Sequence, residues 1–184
     1  MSDELFGERR QALENSFFAQ RDRELMEKLK KQVQRDALSD ACGIKDPAVL
    51  ERLVNANISA ETITALTLVP LIAVAWADGK IAPEEREAIR SATESIGIEA
   101  DSTCRQMLDA WLVEAPGPEL VAAWKGYIEA LSESASSEAI ETLRDDVLGH
   151  ARQIAAAAGG VLGVGSISKR EKAVIDDLAS AFSS

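Results

Sequence analysis

Apolar residues recur at intervals of mostly four or seven through the start of the chain, which is the spacing of one face of an α-helix. Phe17, Leu25 and Leu29 belong to this stripe, and no proline interrupts it. The spacing predicts one helix over residues 4–42, which would be about 55 Å long at 1.5 Å per residue. Because such a helix is longer than a small domain is wide, we expect part of it to project or to pack on another chain.

The rest of the chain also has helical patterns. Only 4% of its residues are aromatic, and β-branched residues seldom alternate with polar ones. Ser59 is expected to cap a segment that leads to Pro70. The sequence therefore predicts an all-α fold, with an N-terminal helical arm at residues 1–45 and a helical domain at residues 46–184. Proline, glycine or capping residues bound the further predicted helices at 47–55, 71–77, 83–96, 102–113, 118–131, 137–157 and from Ser168 onward.

The formal charge of −11 is concentrated in the second part of the chain. Residues 1–45 carry nine acidic and nine basic residues, whereas residues 46–184 carry 22 acidic and 11 basic ones. Such a surface repels nucleic acid and anionic lipid, so we expect neither as a partner. The start of the chain does not read as a signal peptide, and the longest apolar run, Leu66 to Ala77, is too short for a membrane span. We expect a soluble cytoplasmic protein.

A repeated motif links two distant parts of the chain. The segment Ala75–Arg86 recurs in weaker form at Val161–Lys172, with a constant offset of 86 residues. Asp78 does not recur, because Val164 takes its place. Two related helix-loop-helix units are therefore expected to face each other in one bundle. The aligned pairs are Gly79 with Gly165, Ile81 with Ile167, Glu85 with Glu171, and Ile89 with Ile175.

The first copy of the motif has the residues of a cation site. Asp78 follows a buried helix, Gly79 permits a turn at positive φ, and Glu84 and Glu85 come next. Their carboxylate oxygens suit a hard divalent cation. We therefore predict a weak site for Mg²⁺, Ca²⁺ or Zn²⁺ with Asp78, Glu84 and Glu85 as its ligands.

The same glutamates have a structural explanation that needs no metal. Ser168 and Glu171 have the spacing of a capping box, in which each side chain binds the backbone N–H of the other residue. Pro83 suits the first turn of a helix, where Glu84 favours the positive helix end. From the sequence alone, capping and cation binding both stay open.

The residues Asp78-Gly79-Lys80-Ile81 followed by Glu85, after an apolar helix and with a weaker repeat, resemble the tellurite-resistance TerB-like family over residues 58–184. The resemblance implies an all-helical protein with an acidic cluster for divalent cations. In bacteria such proteins are associated with stress response, tellurite resistance or phage defence. The acidic positions of the family carry over to Asp78, Glu85 and Glu171, but Val164 departs from the pattern and halves a symmetric cation site.

The arm has a second resemblance. It is similar to the start of the bacterial ATPase inhibitor subunit zeta, which implies an arm that inserts into a partner. The matching residues are Phe6, Arg9, Ala12, Glu14, Asn15 and Phe17 and, after a two-residue shift, Asp22, Glu24 and Leu25.

No catalytic constellation can be assembled from the sequence. His150 is the only histidine, and no nucleophile is placed near it. We therefore expect a non-enzymatic interaction or sensing module that uses its N-terminal helix for self-association or for binding a protein partner. The alternative is a structural or regulatory subunit that docks into a larger assembly through that helix.

Overall fold

A computed structural model describes the backbone of residues 2–159 and 167–183 and the side chains of residues 19–157 and 167–183. Within these ranges every regular element is a helix, which confirms the predicted all-α fold. None of the described helices combines the length and apolar character needed to cross a membrane. The α-helices are α1 (Ser2–Cys42), α2 (Pro47–Asn55), α3 (Val69–Ala75), α4 (Pro83–Ser95), α5 (Thr103–Val113), α6 (Pro118–Ser134), α7 (Ser137–Gly159) and α8 (Lys169–Ala179), and 3₁₀ helices occupy Ile63–Leu68 and Ser180–Phe182.

Local signals start several of these helices. The Asp46 carboxylate accepts a hydrogen bond from the Ala48 N–H at 2.8 Å, and the Ser102 hydroxyl accepts one from the Arg105 N–H at 3.1 Å. Proline stands in the first turn of α2, α4 and α6. Because such caps satisfy backbone groups that no helical partner reaches, the helix starts could be predicted from the sequence.

The prediction that Ser59 caps a helix is wrong. Ser59 and Thr62 instead close a turn, in which the Ser59 N–H donates to the Thr62 hydroxyl at 2.9 Å and the Thr62 N–H donates to the Ser59 carbonyl at 3.0 Å. The first 3₁₀ helix begins at Ile63, and α3 begins at Val69. The reason is that hydroxyl side chains compete with a helix for nearby backbone groups.

Helix α3 lies at the centre of the bundle. Six of its seven residues are buried, and α4, α6, α7 and α8 all contact it. Helix α7 also packs on α4 and α8. The two helix-loop-helix units expected from the repeat, α3 with α4 and α7 with α8, are therefore packed together. On another side of the core, α2 packs on α6, and the buried Trp124 ring of α6 meets the Phe182 ring edge to face.

Helix α1 has a free part and a packed part. All residues from 19 to 33 are exposed, whereas Leu38 is fully buried in the core. The packed part contacts α2 and the 3₁₀ helix at Ile63–Leu68. This exposure agrees with the expectation that part of the helix projects or packs on another chain. Four large apolar side chains of the free part, which we call the arm stripe, are 50–67% exposed: Leu25, Met26, Leu29 and Val33.

Because α1 has a buried and an exposed part, replacing leucine by alanine should affect the free energy of unfolding differently at Leu38 and at Leu29. Leu38→Ala should lower the free energy of unfolding by about 2–5 kcal/mol, because it leaves a cavity in the core. Leu29→Ala on the same helix should change it by less than about 0.5 kcal/mol, because its side chain is exposed. Urea unfolding at concentrations where the chain is monomeric measures both values. Equal losses would show that residues 19–33 are packed.

Candidate functional site

The loop between α3 and α4 is held by local contacts and by one hydrogen bond to α5. The Asp78 carboxylate accepts a hydrogen bond from the Lys80 N–H at 3.2 Å. Gly79 has a φ of 90°, which confirms the predicted positive-φ turn. At the start of the loop the Trp76 indole N–H donates to the Trp111 carbonyl at 2.8 Å, which joins the end of α3 to α5.

Buried glutamates cap the two helices that follow the repeated motif. Glu85 is 4% exposed, and its carboxylate accepts a hydrogen bond from the Ala82 N–H at 2.8 Å. Glu171 is 9% exposed and accepts from the Ser168 N–H at 2.5 Å, while the Ser168 hydroxyl accepts from the Glu171 N–H at 3.2 Å. The predicted capping box at Ser168 is therefore confirmed. At the start of α4 only one of the two hydrogen bonds of a capping box is present, from the Ala82 N–H to Glu85, because alanine has no side-chain acceptor.

The environment of Glu85 favours its neutral form. Burial is the main cause that raises the pKa of its carboxyl from 4.5 to about 7, although the hydrogen bond from Ala82 acts in the opposite direction. The negative charges of Glu171, Asp78 and Glu84, in decreasing order, raise the pKa further. The fold thus brings together acidic residues that lie up to 93 positions apart in the sequence. The signal for this proximity was the constant offset between the two motif copies, but the offset did not reveal that the glutamates are buried.

Two of the three predicted cation ligands already accept hydrogen bonds from the backbone. Asp78 and Glu85 each accept a backbone hydrogen bond, and Glu84 is exposed. Among the described residues, no group of three or more histidine, cysteine or carboxylate side chains is placed to hold a metal ion. A cation here would need water for most of its coordination shell, as Mg²⁺ commonly has. The second loop copy, with Val164 and Gly165, lies outside the described residues.

The arm is the second candidate site. On the side of α1 that faces the bundle, Gln34 is half-buried, Leu38 is buried and the Lys31 ammonium lies 3.4 Å from the Asn55 side-chain oxygen of α2. Successive residues of a helix are rotated by about 100°. The arm stripe therefore lies on the opposite side of α1 and faces away from the bundle.

Neither cysteine is an exposed nucleophile in the part of the chain that the structure describes. Cys104 is buried, and burial raises the pKa of its thiol. A buried neutral thiol is a poor nucleophile. His150 is exposed on α7, and Cys42 is half-buried at the end of α1.

No protein-family model matches the chain, and no curated protein or solved structure matches it either. Membership of the TerB-like family is therefore a proposal, supported by the motif at residues 78–85 and its weaker repeat.

The raised pKa of Glu85 predicts how stability depends on pH. Between pH 4.5 and 7 the folded protein holds a proton that the unfolded chain has released. The free energy of unfolding should therefore fall as pH rises through this range, by at most about 1.4 kcal/mol per pH unit for one proton, and should level off above pH 7. Glu85→Gln should remove this fall, because the amide cannot ionise but still has an oxygen for the Ala82 N–H.

Denaturant unfolding from pH 4.5 to 8.5 measures this effect. Glu84→Gln is the matched control, because it removes the same charge from the neighbouring exposed position and should leave the fall in place. If Glu85→Gln keeps the pH dependence of the wild type, the fall has another source.

Proposed function

We propose that this chain is a non-enzymatic interaction module, in which the helical bundle presents the projecting part of α1 to a protein partner. One observation carries the proposal. Fifteen consecutive residues of α1, from 19 to 33, are exposed, and one face of this segment has four large apolar side chains at least half exposed. Apolar surface gathered on one side of an element marks a contact with another molecule.

The energetics of an isolated helix support the same conclusion. A helical segment without tertiary contacts is only marginally stable in water. The arm stripe cannot obtain those contacts from its own bundle, because it lies on the opposite side of α1. A partner that covers it would remove apolar surface from water and order the arm at the same time.

The proposal extends to a TerB-like role in bacterial stress response, of the kind linked to tellurite resistance or phage defence. Its support is the repeated motif together with the packing of α3 on α7 and α8. The alternative is a structural or regulatory subunit that docks through α1 into a larger assembly. The two differ in the partner, which would be a stress-response component in the first and an assembly subunit in the second.

Removal of the arm tests the interaction. We expect the full chain to capture a partner from a native bacterial lysate, and a chain without residues 2–33 to lose it while keeping its thermal stability. Leu38 is retained in the shortened chain because it belongs to the core. Affinity capture followed by mass spectrometry identifies the partner.

Point variants separate the arm stripe from the rest of the arm. Leu25→Gln, Leu29→Gln and Val33→Gln together should abolish capture, whereas Gln20→Ala with Glu27→Ala, on other faces of α1, should preserve it. Equal capture by all variants would contradict the proposal.

We also propose a weak divalent-cation site at Asp78, Glu84 and Glu85. Burial is the main cause of the raised pKa of Glu85, and the supporting observation is that the negative charges of Glu171, Asp78 and Glu84 raise it further. A cation would offset this repulsion. With few carboxylates and no enclosing cage, its dissociation constant should lie in the range of about 10⁻⁴ to 10⁻³ M.

Thermal melts in EDTA, Mg²⁺, Ca²⁺, Mn²⁺ and Zn²⁺ test the cation site. A cation that binds the folded state should add about 2.7 kcal/mol at a hundredfold excess over its dissociation constant, and Asp78→Ala should abolish the gain. Glu171→Ala should cost about 1 kcal/mol in every buffer, because it removes a cap. The same melting temperature in all ions would refute the cation site and leave capping as the role of these glutamates.

A further inference from the structure

A shallow groove runs between α4 and α7 on the surface of the bundle. It consists of two adjoining cavities of about 310 and 260 Å³ that share Leu71, Ala92, Ser95 and His150. The core residue Leu71 lies in both cavities, and Ile96, which is 43% exposed, lines one of them. We call this feature the α4/α7 groove. Its surface is mixed, and the mainly apolar cavity, which Leu68, Ile96 and Val147 help to line, offers apolar surface that the bundle leaves uncovered.

The groove has the dimensions of a short helix. Its lining on α7 runs from Leu143 to Ile154, a length of about 16 Å, and the arm stripe from Leu25 to Val33 is about 12 Å long. Small residues form the α4 wall and leave room for a second backbone to approach: Ala88, Ser91, Ala92 and Ser95. They follow the i, i+3, i+4, i+7 spacing of one helix face.

The charges of the groove and of the arm are opposite. Helices α4 and α7 each carry four acidic and two basic residues, whereas residues 19–33 of α1 carry five basic and three acidic ones. On the helix, Arg21 and Lys28 lie along one edge of the arm stripe, and Arg23 and Lys30 lie along the other. Asp146 lines the groove. An apolar stripe with basic edges therefore matches an apolar groove between acidic helices.

Geometry excludes one simpler arrangement, and charge disfavours another. The arm cannot reach the groove of its own chain, because the arm stripe faces away from its bundle and Leu38 anchors the helix in the core. Two arm stripes packed face to face would bring four basic edge residues of each chain together, and like charges at a contact are destabilising.

We propose that the α4/α7 groove binds the arm stripe of a second copy of this chain. The inference rests on the proposed function, in which the arm contacts a protein, and it identifies that protein as the chain itself. The contact is an amphipathic helix in an apolar groove. If two copies exchange arms reciprocally, the assembly closes as a two-fold dimer.

The oligomeric state of groove variants tests the proposal on the full chain. Sedimentation should show concentration-dependent self-association of the wild type. Ser95→Trp places an indole in the groove and should weaken the association at least about tenfold. Ser134→Trp is the matched control, since both serines are exposed near the C-terminal end of a helix and donate to a carbonyl three residues earlier. It should associate like the wild type.

Disulfide trapping locates the arm. Differently tagged Leu29→Cys and Ser95→Cys chains are mixed and oxidised, with a wild-type mixture as the background for Cys42 and Cys104. We expect a mixed disulfide in this pair and none in a mixture of Leu29→Cys with Ser134→Cys. If Leu29→Cys chains link preferentially to each other, the arms pair with one another, and the proposal that the groove binds the arm stripe is overturned.

The outcomes separate this inference from the proposed function. A monomeric wild type, or a Ser95→Trp variant that associates like the wild type, would overturn the groove contact. If arm-dependent capture of a different protein persists in that case, the interaction function stands and only the identity of the partner fails. If the arm stripe variants change neither association nor capture, both proposals fail together.

Discussion

The burial of α3 is the constraint on which the rest of the structure depends. Its seven residues contain no charged side chain, and six of them are buried. A helix this short has no stability of its own in water, so it exists only because α4, α6, α7 and α8 surround it. The apolar surface that these four helices bury against α3 is in turn what joins them. Removing any one of them would expose part of α3.

The same arrangement explains the buried glutamates. In the first turn of α4, Pro83 and Glu84 are exposed but Glu85 is buried, and the free N–H groups at the start of the helix need acceptors. Glu85 supplies one of them, and Glu171 supplies one at the start of α8. A carboxylate is a strong acceptor at a helix N-terminus, but it loses hydration when it is buried. The raised pKa of Glu85 expresses this conflict, and it gives the loop a sensitivity to protons that an apolar cap would lack.

In contrast to α3, most of the described part of α1 before Leu38 is exposed. Where α1 meets the bundle, Leu38 takes part in the core, but the arm stripe has no counterpart within its own chain. The bundle is acidic, whereas the exposed segment of α1 is net basic. This difference in charge favours contact between the α1 segment of one copy and the bundle of another over contact between two α1 segments. The exposed stripe, its basic edges and the α4/α7 groove support the proposed contact between copies. In that contact α1 would supply the interacting surface, and α3 holds the two groove-lining helices in place.

The sequence by itself determined the features that depend on neighbouring residues. The turn at Gly79 and the box formed by Ser168 and Glu171 both act within a few positions, so their spacing was sufficient to predict them. The predicted helix cap at Ser59 was wrong, because the Thr62 hydroxyl accepts a competing local hydrogen bond from the Ser59 N–H. Tertiary structure decided the rest. Leu29 and Leu38 lie on opposite faces of the same helix, and only Leu38 is buried, since burial depends on what lies beside the helix. The raised pKa of Glu85 and the groove beside His150 likewise depend on tertiary structure. Both arise only when helices distant in sequence pack together, because that packing removes water from Glu85 and gives the groove its shape.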